Sequence, residues 1–443
     1  MLTVLLLSIV SCIDYKDNPT PVETTTIEEA LAANNLFSAI KENPDSSVMK
    51  RKEKGELNYL SQYGMSFRQA VNHNQPDGDT FQQRVFILFR GFDRPTILVT
   101  EGYLWQGFGD AEDIGKNLNA NIVHVEHRNF GESYNQDQGK WEYETSAQVS
   151  ADLHAVYQAL KPIFKGKWMS TGTSKNGETS IDYAYYYPND MDLAAAFCSP
   201  FNVSLSDKRF GNYLLNVGNT EEMRAMIKKH IRSALENGEE GLYKVCCGQF
   251  KQKDYPLPSF TEYVYNTIDA FFDVFQYTLP SQQQAKIEEM TTDKETHAKT
   301  IYQSILDNRN ATFYTYFVDC AKEQGFPNPG YDYFADLLEG TSFKADDVLK
   351  IFLKEEDHRL LMAYDNSVRL DMQDNFFMNT SVPLLFYYSQ GDPWSAAQPE
   401  KLGPNAKKVI NPIGIHSPKI NDPNYCPADI KQEVMDFISN YIY

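Results

Sequence analysis

At 443 residues the chain is long enough for a full enzyme core plus one inserted or appended domain. Its formal net charge of −19 argues against a nucleic-acid partner, because phosphate binding is driven by Lys and Arg. An acidic cleft would instead attract a cationic group, and the 28 Tyr and 27 Phe can pack a large core or line such a cleft.

Leu2 to Val10 is an apolar run too short to span a bilayer. It leads into Ile9-Val10-Ser11-Cys12, which resembles the lipobox of bacterial lipoproteins, with cleavage before Cys12 and lipidation of that cysteine. Asp14, Asp17, Asn18, Pro19 and Pro21 follow as a polar tether. This reading gives an extracytoplasmic protein, periplasmic or on the cell surface, that meets the membrane only through a lipid anchor. Adjacent Cys246 and Cys247 lack both the spacer of a zinc pair and the CxxC spacing of a redox pair. A disulfide from one of them to Cys320 stays open, and no metal site is indicated.

Thr26 to Tyr63 reads as a helical or irregular lead-in. Gln83–Arg90, Thr96–Thr100 and Asn121–Glu126 read as strands, the last two as short buried parallel ones, with helical spacing over Gly109–Leu118. Thr145–Leu160 is a helix, Trp168–Thr171 a strand, Ser180–Tyr187 a helix stopped by Pro188, and Leu193–Cys198 a strand. That alternation predicts a parallel, doubly wound α/β sheet. From Ser204 to Asn375 the pattern is helical, as in Thr220–Glu236, Phe260–Leu279, Gln282–Met290 and Lys344–Leu353. Strands resume at Val382–Tyr388 and Lys408–Asn411, and an amphipathic helix over Pro427–Ile442 closes the chain. The expected division is a leader and tether over 1–25, a first part of the core over 26–203, a helical cap over 204–375, and a second part of the core over 376–443.

The densest chemistry lies at Thr171-Gly172-Thr173-Ser174-Lys175-Asn176-Gly177, where a strand turns straight into a helix. A serine on such a turn projects its hydroxyl above the sheet, and the next backbone N–H sits at a helix N-terminus, able to hold an oxyanion. Asn176 stands where the G-x-S-x-G pattern has glycine, and Asn tolerates strained turn geometry. Asp392, just after the Val382–Tyr388 strand, and His416, after the next strand, complete the order Ser…Asp…His of an α/β-hydrolase. Asp392 would hold the imidazole of His416, which would serve as general base and then general acid. The N–H groups of Lys175 and Tyr103 are the expected oxyanion donors, Tyr103 lying on the loop after Thr96–Thr100. Glu126-His127-Arg128-Asn129-Phe130-Gly131-Glu132-Ser133 reads as scaffold, in which a buried Arg128 needs a carboxylate partner. His127 precedes the serine and so has the wrong order for the base.

The segments Phe67-x-Gln69-x-Val71-Asn72-His73, Thr80-Phe81-Gln82-Gln83-Arg84, Thr100-Glu101-Gly102-Tyr103, Glu126-His127-Arg128-x-x-Gly131-Glu132-Ser133 and Thr171-Gly172-x-Ser174-Lys175-x-Gly177 together resemble the secreted bacterial prolyl tripeptidyl aminopeptidases. These are serine peptidases related to lysosomal prolyl carboxypeptidase and its dipeptidyl-peptidase relative. The similarity runs from about Phe67 to Pro200 and returns at Asp392 and His416. It implies an α/β-hydrolase with an inserted helical cap that restricts the site to peptide ends, with Ser174, Asp392 and His416 as triad and no cofactor. The family motif has glycine at the positions of Thr173 and Asn176, and this chain departs at both.

The expected activity is release of short peptides, tripeptides by the resemblance, from peptide amino termini with a preference for proline. An acidic cap residue such as Glu239, Glu240 or Glu355 would bind the substrate ammonium. Two other readings stand beside it. A carboxylesterase could use the same triad, and an inactive surface lipoprotein could bind peptide or glycan through its aromatics.

Overall fold

The continuous apolar runs form the centre of one nine-stranded sheet, in the order β1-β2-β3-β5-β4-β6-β7-β8-β9. The strands are β1 (Phe37–Glu42), β2 (Ser61–Ala70), β3 (Thr80–Phe89), β4 (Thr96–Thr100), β5 (Asn121–Val125), β6 (Trp168–Thr173), β7 (Leu193–Phe197), β8 (Leu384–Ser389) and β9 (Ala406–Asn411). β1, β2, β3 and β5 pair antiparallel in turn, and every pairing from β5 through β4 to β9 is parallel. This computed structural model describes residues 26–42, 59, 61–105, 107, 109–134, 141–216 and 220–443. The leader and Cys12 lie outside the described residues, and none of the described helices is long and apolar enough to cross a membrane.

Each residue of β4 and β5 is buried, because helices cover both faces of the sheet. The period of two sorts their side chains. Ile97 and Val99 meet Ile114 and Leu118 of helix α2 (Ala111–Leu118) and Val434 and Ile438 of the C-terminal helix (Ala428–Ile442). Leu98 meets Leu153 and Val156 of α3 (Ser146–Leu160) on the opposite face. Thr145 caps α3 by accepting the Gln148 N–H. This is the doubly wound α/β-hydrolase sheet.

Between β7 and β8 the chain is nearly all helical: α5 (Arg209–Asn216), α6 (Glu221–Leu235), α7 (Leu242–Gln252), α8 (Phe260–Tyr277), α9 (Pro280–Met290), α10 (Lys294–Asn308) and α11 (Tyr314–Asp319), with α4 (Lys175–Tyr186) preceding β7. They gather round their own core of Ile231, Tyr263, Ile268, Phe271, Phe275 and Ile301, and form the cap.

Several expectations are corrected. The lead-in holds a short helix α1 (Ile27–Ala32), in keeping with its helical or irregular pattern, but also β1 and the start of β2, which that pattern does not give. Lys344–Leu353 is two 3-10 turns, Ala345–Asp347 and Leu349–Phe352, not a helix; it sends Val348, Leu349 and Leu353 into the cap core. Cys198, Cys246, Cys247, Cys320 and Cys426 are all buried free thiols, so the possible disulfide to Cys320 is not formed.

Candidate active site

Ser174 sits between β6 and α4 with φ 62° and ψ −133°, a conformation that non-glycine residues rarely adopt. Its N–H donates to Phe197 O of β7 at 2.9 Å, and its carbonyl accepts Gly177 N–H at 2.9 Å, so neighbouring backbone holds the turn. A Cβ on Gly172 would lie 2.4 Å from the Asn176 carbonyl carbon, and one on Gly177 would lie 2.8 Å from Ser199 Cβ. Only glycine permits that approach of strand and helix.

Asn176 is a strut. Its Oδ1 accepts Gly102 N–H at 2.8 Å, and its carbonyl accepts the Thr100 hydroxyl at 2.8 Å, tying the loop after β4 to the elbow. Gly102 fits because a Cβ there would fall 2.7 Å from Lys175 Cγ. Lys175 opens α4, so its N–H lies outside the helical ladder. The Tyr103 phenol is buried against the Ser174 hydroxyl. Burial pushes that phenol well up, and the serine contact opposes the shift.

Asp392 follows β8 and is fully buried. Its Oδ1 accepts Trp394 N–H at 3.2 Å and faces His416 Nδ1 at 3.0 Å, and its Oδ2 accepts the Ser395 hydroxyl at 3.0 Å. With Nδ1 donating to Asp392, His416 Nε2 carries the free lone pair. Among the described residues Ser174 and His416 share no hydrogen bond; such contacts are commonly loose before substrate binds. A half-buried residue that the sequence does not single out links their loops. Asp110 accepts the Thr173 hydroxyl at 3.1 Å through one oxygen and the Ser417 hydroxyl at 2.7 Å through the other. Burial raises its pKa against both hydrogen bonds.

The Glu126–Ser133 stretch is scaffold. Arg128 makes two 2.6 Å bonds to Asp152 of α3. Gln69 reaches Gln83 at 2.8 Å, and Gln83 reaches Glu126 O at 2.9 Å, so the dispersed segments of the motif meet in one buried network. His127, Glu144 and Asp319 converge closely enough to serve as metal ligands by type. The Lys175 ammonium lies among them, 2.9 Å from Asp319 and 3.3 Å from His127 Nε2.

Ser174 opens onto a cavity of about 300 Å³ between core and cap, with Tyr103, Phe313, Tyr316 and Trp394 on its walls. Four acids face it: Glu178 from α4, Asp269 and Asp273 from α8, and Asp307 from α10. Glu178 is held at about 8 by burial, against the pull of Arg369. Burial raises Asp269 and Asp273, and the charge of Asp269 raises Asp273 further. Glu239, Glu240 and Glu355 are elsewhere: Glu239 accepts Ser342 N–H at 3.1 Å, Glu240 pairs with Lys244 at 2.8 Å, and Glu355 lies on an exposed turn. The acids that reach the cavity could not be singled out in a chain with 60 Asp and Glu.

A strained serine between strand and helix of a parallel sheet, with a buried Asp–His pair after later strands, defines an α/β-hydrolase. The model of the PS-10 peptidase S37 family matches residues 37–284, and the chain belongs to that family. It is a serine peptidase of the α/β-hydrolase fold, acting on peptides. The prolyl tri/tetrapeptidyl aminopeptidase of Streptomyces mobaraensis is 26% identical over 357 residues, covering 77% of this chain and 71% of that protein. Among solved structures, proline iminopeptidase of Mycobacterium smegmatis has a TM-score of 0.43 at 14% identity, covering 85% of this chain and 98% of that one. A thermophilic esterase from Thermogutta terrifontis has a TM-score of 0.40 at 13% identity, covering 85% and 99%.

Proposed function

We propose that this serine peptidase is an exopeptidase that releases short peptides, tripeptides foremost, from free amino termini and prefers proline at the scissile bond. The observation that carries this reading is the acidic far wall of the Ser174 cavity. Asp269, Asp273 and Asp307 give a substrate ammonium carboxyl partners inside a low-dielectric space, and Asp273, held up to about 8 by burial and by Asp269, loses its proton as the ammonium binds and adds to the counter-charge. A proline ring suits the aromatic walls, and the name of the Streptomyces relative points the same way.

In this mechanism Ser174 Oγ attacks the carbonyl carbon while its proton passes to His416 Nε2. Asp392 holds the imidazolium through Nδ1. The N–H groups of Lys175 and Tyr103 receive the oxyanion. Collapse breaks the C–N bond as His416 returns the proton to the leaving amine. A water activated by the same imidazole then resolves the acyl-enzyme.

The test compares alanyl-alanyl-prolyl p-nitroanilide with its N-acetylated form on wild type and on Asp269→Asn/Asp273→Asn. The free amine should be preferred by about 10- to 100-fold in kcat/KM, since a buried charge pair contributes about 1.5–3 kcal/mol. The double variant should lose that preference, chiefly through KM. Equal rates on both substrates would refute the amino-terminal anchor, and hydrolysis of p-nitrophenyl esters alone would favour a carboxylesterase.

A further inference from the structure

Resting on that reading of the site, we propose that Lys175 is a positioning residue whose side chain, locked to Asp319 of the cap, sets the nucleophile elbow and its oxyanion N–H, so that turnover requires the seated cap. Lys175 follows the nucleophile directly, and its backbone N–H is the oxyanion donor assigned above. Its side chain runs the other way, 1% exposed, and ends 2.9 Å from Asp319, the last residue of α11. The second acceptor is His127 Nε2 at 3.3 Å. His127 Nδ1 lies 2.8 Å from the Arg128 carbonyl, which can only accept, so Nδ1 carries the proton and Nε2 is left as an acceptor. Burial and the Lys175 charge keep that imidazole neutral. Burial alone would lower the ammonium, but Asp319, with Glu144 and Glu178 behind it, raises it overall, so the cation persists.

The cap side of this contact is built for docking. A single π-helical turn, Cys320–Gln324, follows Asp319, and such turns re-aim side chains. Lys322 donates to the Trp141 and Glu144 carbonyls of the core, and Glu323 accepts both the N–H and the hydroxyl of Ser146, at 2.8 and 2.7 Å. Asp319 thus grips the elbow, while Lys322 and Glu323 grip the 141–146 segment of the core. The other two triad loops are braced from the cap as well. His416 N–H donates to Gln276 O of α8 at 3.2 Å, and the Tyr213 hydroxyl of α5 donates to Gly391 O, beside Asp392. Every loop bearing a proposed triad residue therefore has at least one cap contact, and the nucleophile's is an ion pair that is almost wholly desolvated.

Steady-state kinetics on the free tripeptide substrate, rates of fluorophosphonate inactivation and Tm should be measured for Lys175→Met, Asp319→Asn, Lys175→Met/Asp319→Leu and Glu323→Ala. Asp319 touches neither Ser174 nor the cavity, yet Asp319→Asn should lower kcat by about 10- to 100-fold with KM within about twofold, as a small misplacement of catalytic groups does. The probe rate should fall by the same factor. The charge-free double variant should recover Tm and stay slow. Glu323→Ala removes one cap–core contact and leaves the Lys175–Asp319 pair in place, so it should lose Tm and keep kcat, which separates a general loss of stability from displacement of the elbow. If the double variant regains full turnover with its Tm, the pair is merely structural and the proposal fails. Full kcat in Asp319→Asn on an active wild-type background also overturns it. A wild type inert to probe and peptide fails the functional reading itself.

Discussion

Thr173 and Asn176 stand where the family motif has glycine, and each has a partner that glycine could not engage. Thr173 donates to Asp110, 63 residues away in sequence, and Asn176 accepts from Gly102, 74 away. The proposed triad is legible in the sequence because each member follows a recognisable strand and the order Ser…Asp…His suits an α/β-hydrolase. Asp110 was invisible: an aspartate before a short helix looks like a cap, although its side chain makes no capping bond. With both oxygens occupied by hydroxyls beside Ser174 and His416, Asp110 sets the spacing of the two loops. Asp110→Ala should lower kcat on the tripeptide substrate by about tenfold at nearly constant KM, as expected of a lost alignment contact. An unchanged kcat would show that the bridge carries no alignment.

At the scale of elements, the buried parallel strands were legible because both of their faces are covered, so each reads as an unbroken apolar run. β2 was missed for the opposite reason. Ser61–Ala70 mixes Ser, Gln, Gly and Arg with its apolar residues and pairs antiparallel on both sides, so no such run marks it. In the cap, α7 and α10 fall within the stretch that reads as helical, and their packing round Tyr263 and Ile268 holds them in place. The elbow makes a sharp demand on one residue. Gly172→Ala would force its Cβ into the Asn176 backbone, so Tm should drop by several degrees. Probe labelling of the folded fraction should fall with it. Wild-type labelling in Gly172→Ala would contradict the close approach of β6 to α4.

Over the whole molecule, folding buries acids that prefer to be protonated. Glu178 is pushed up to about 8 and Asp182 to about 6, in both cases by burial first, with Arg369 opposing, and Glu144 is raised as well by burial and by Asp319. A carboxyl whose pKa is raised on folding binds more protons in the native state. Its stabilising contribution is complete below the ordinary carboxylate range and fades as pH rises to the folded value. Tm should therefore fall between about pH 5 and pH 8, and Glu178→Gln should flatten that slope. A slope unchanged by Glu178→Gln would remove Glu178 as its source. The net charge of −19 adds self-repulsion in the same direction.

Hydrolysis by this protein depends on an activated serine at residue 174, which covalent labelling can detect. Purified wild type and Ser174→Ala should be treated with a fluorophosphonate and the adduct mapped by peptide mass spectrometry. A single adduct on the peptide containing Ser174, absent in Ser174→Ala, is the expected result. No adduct on well-folded wild type, or an adduct on another serine that persists in Ser174→Ala, would show that Ser174 is not the nucleophile.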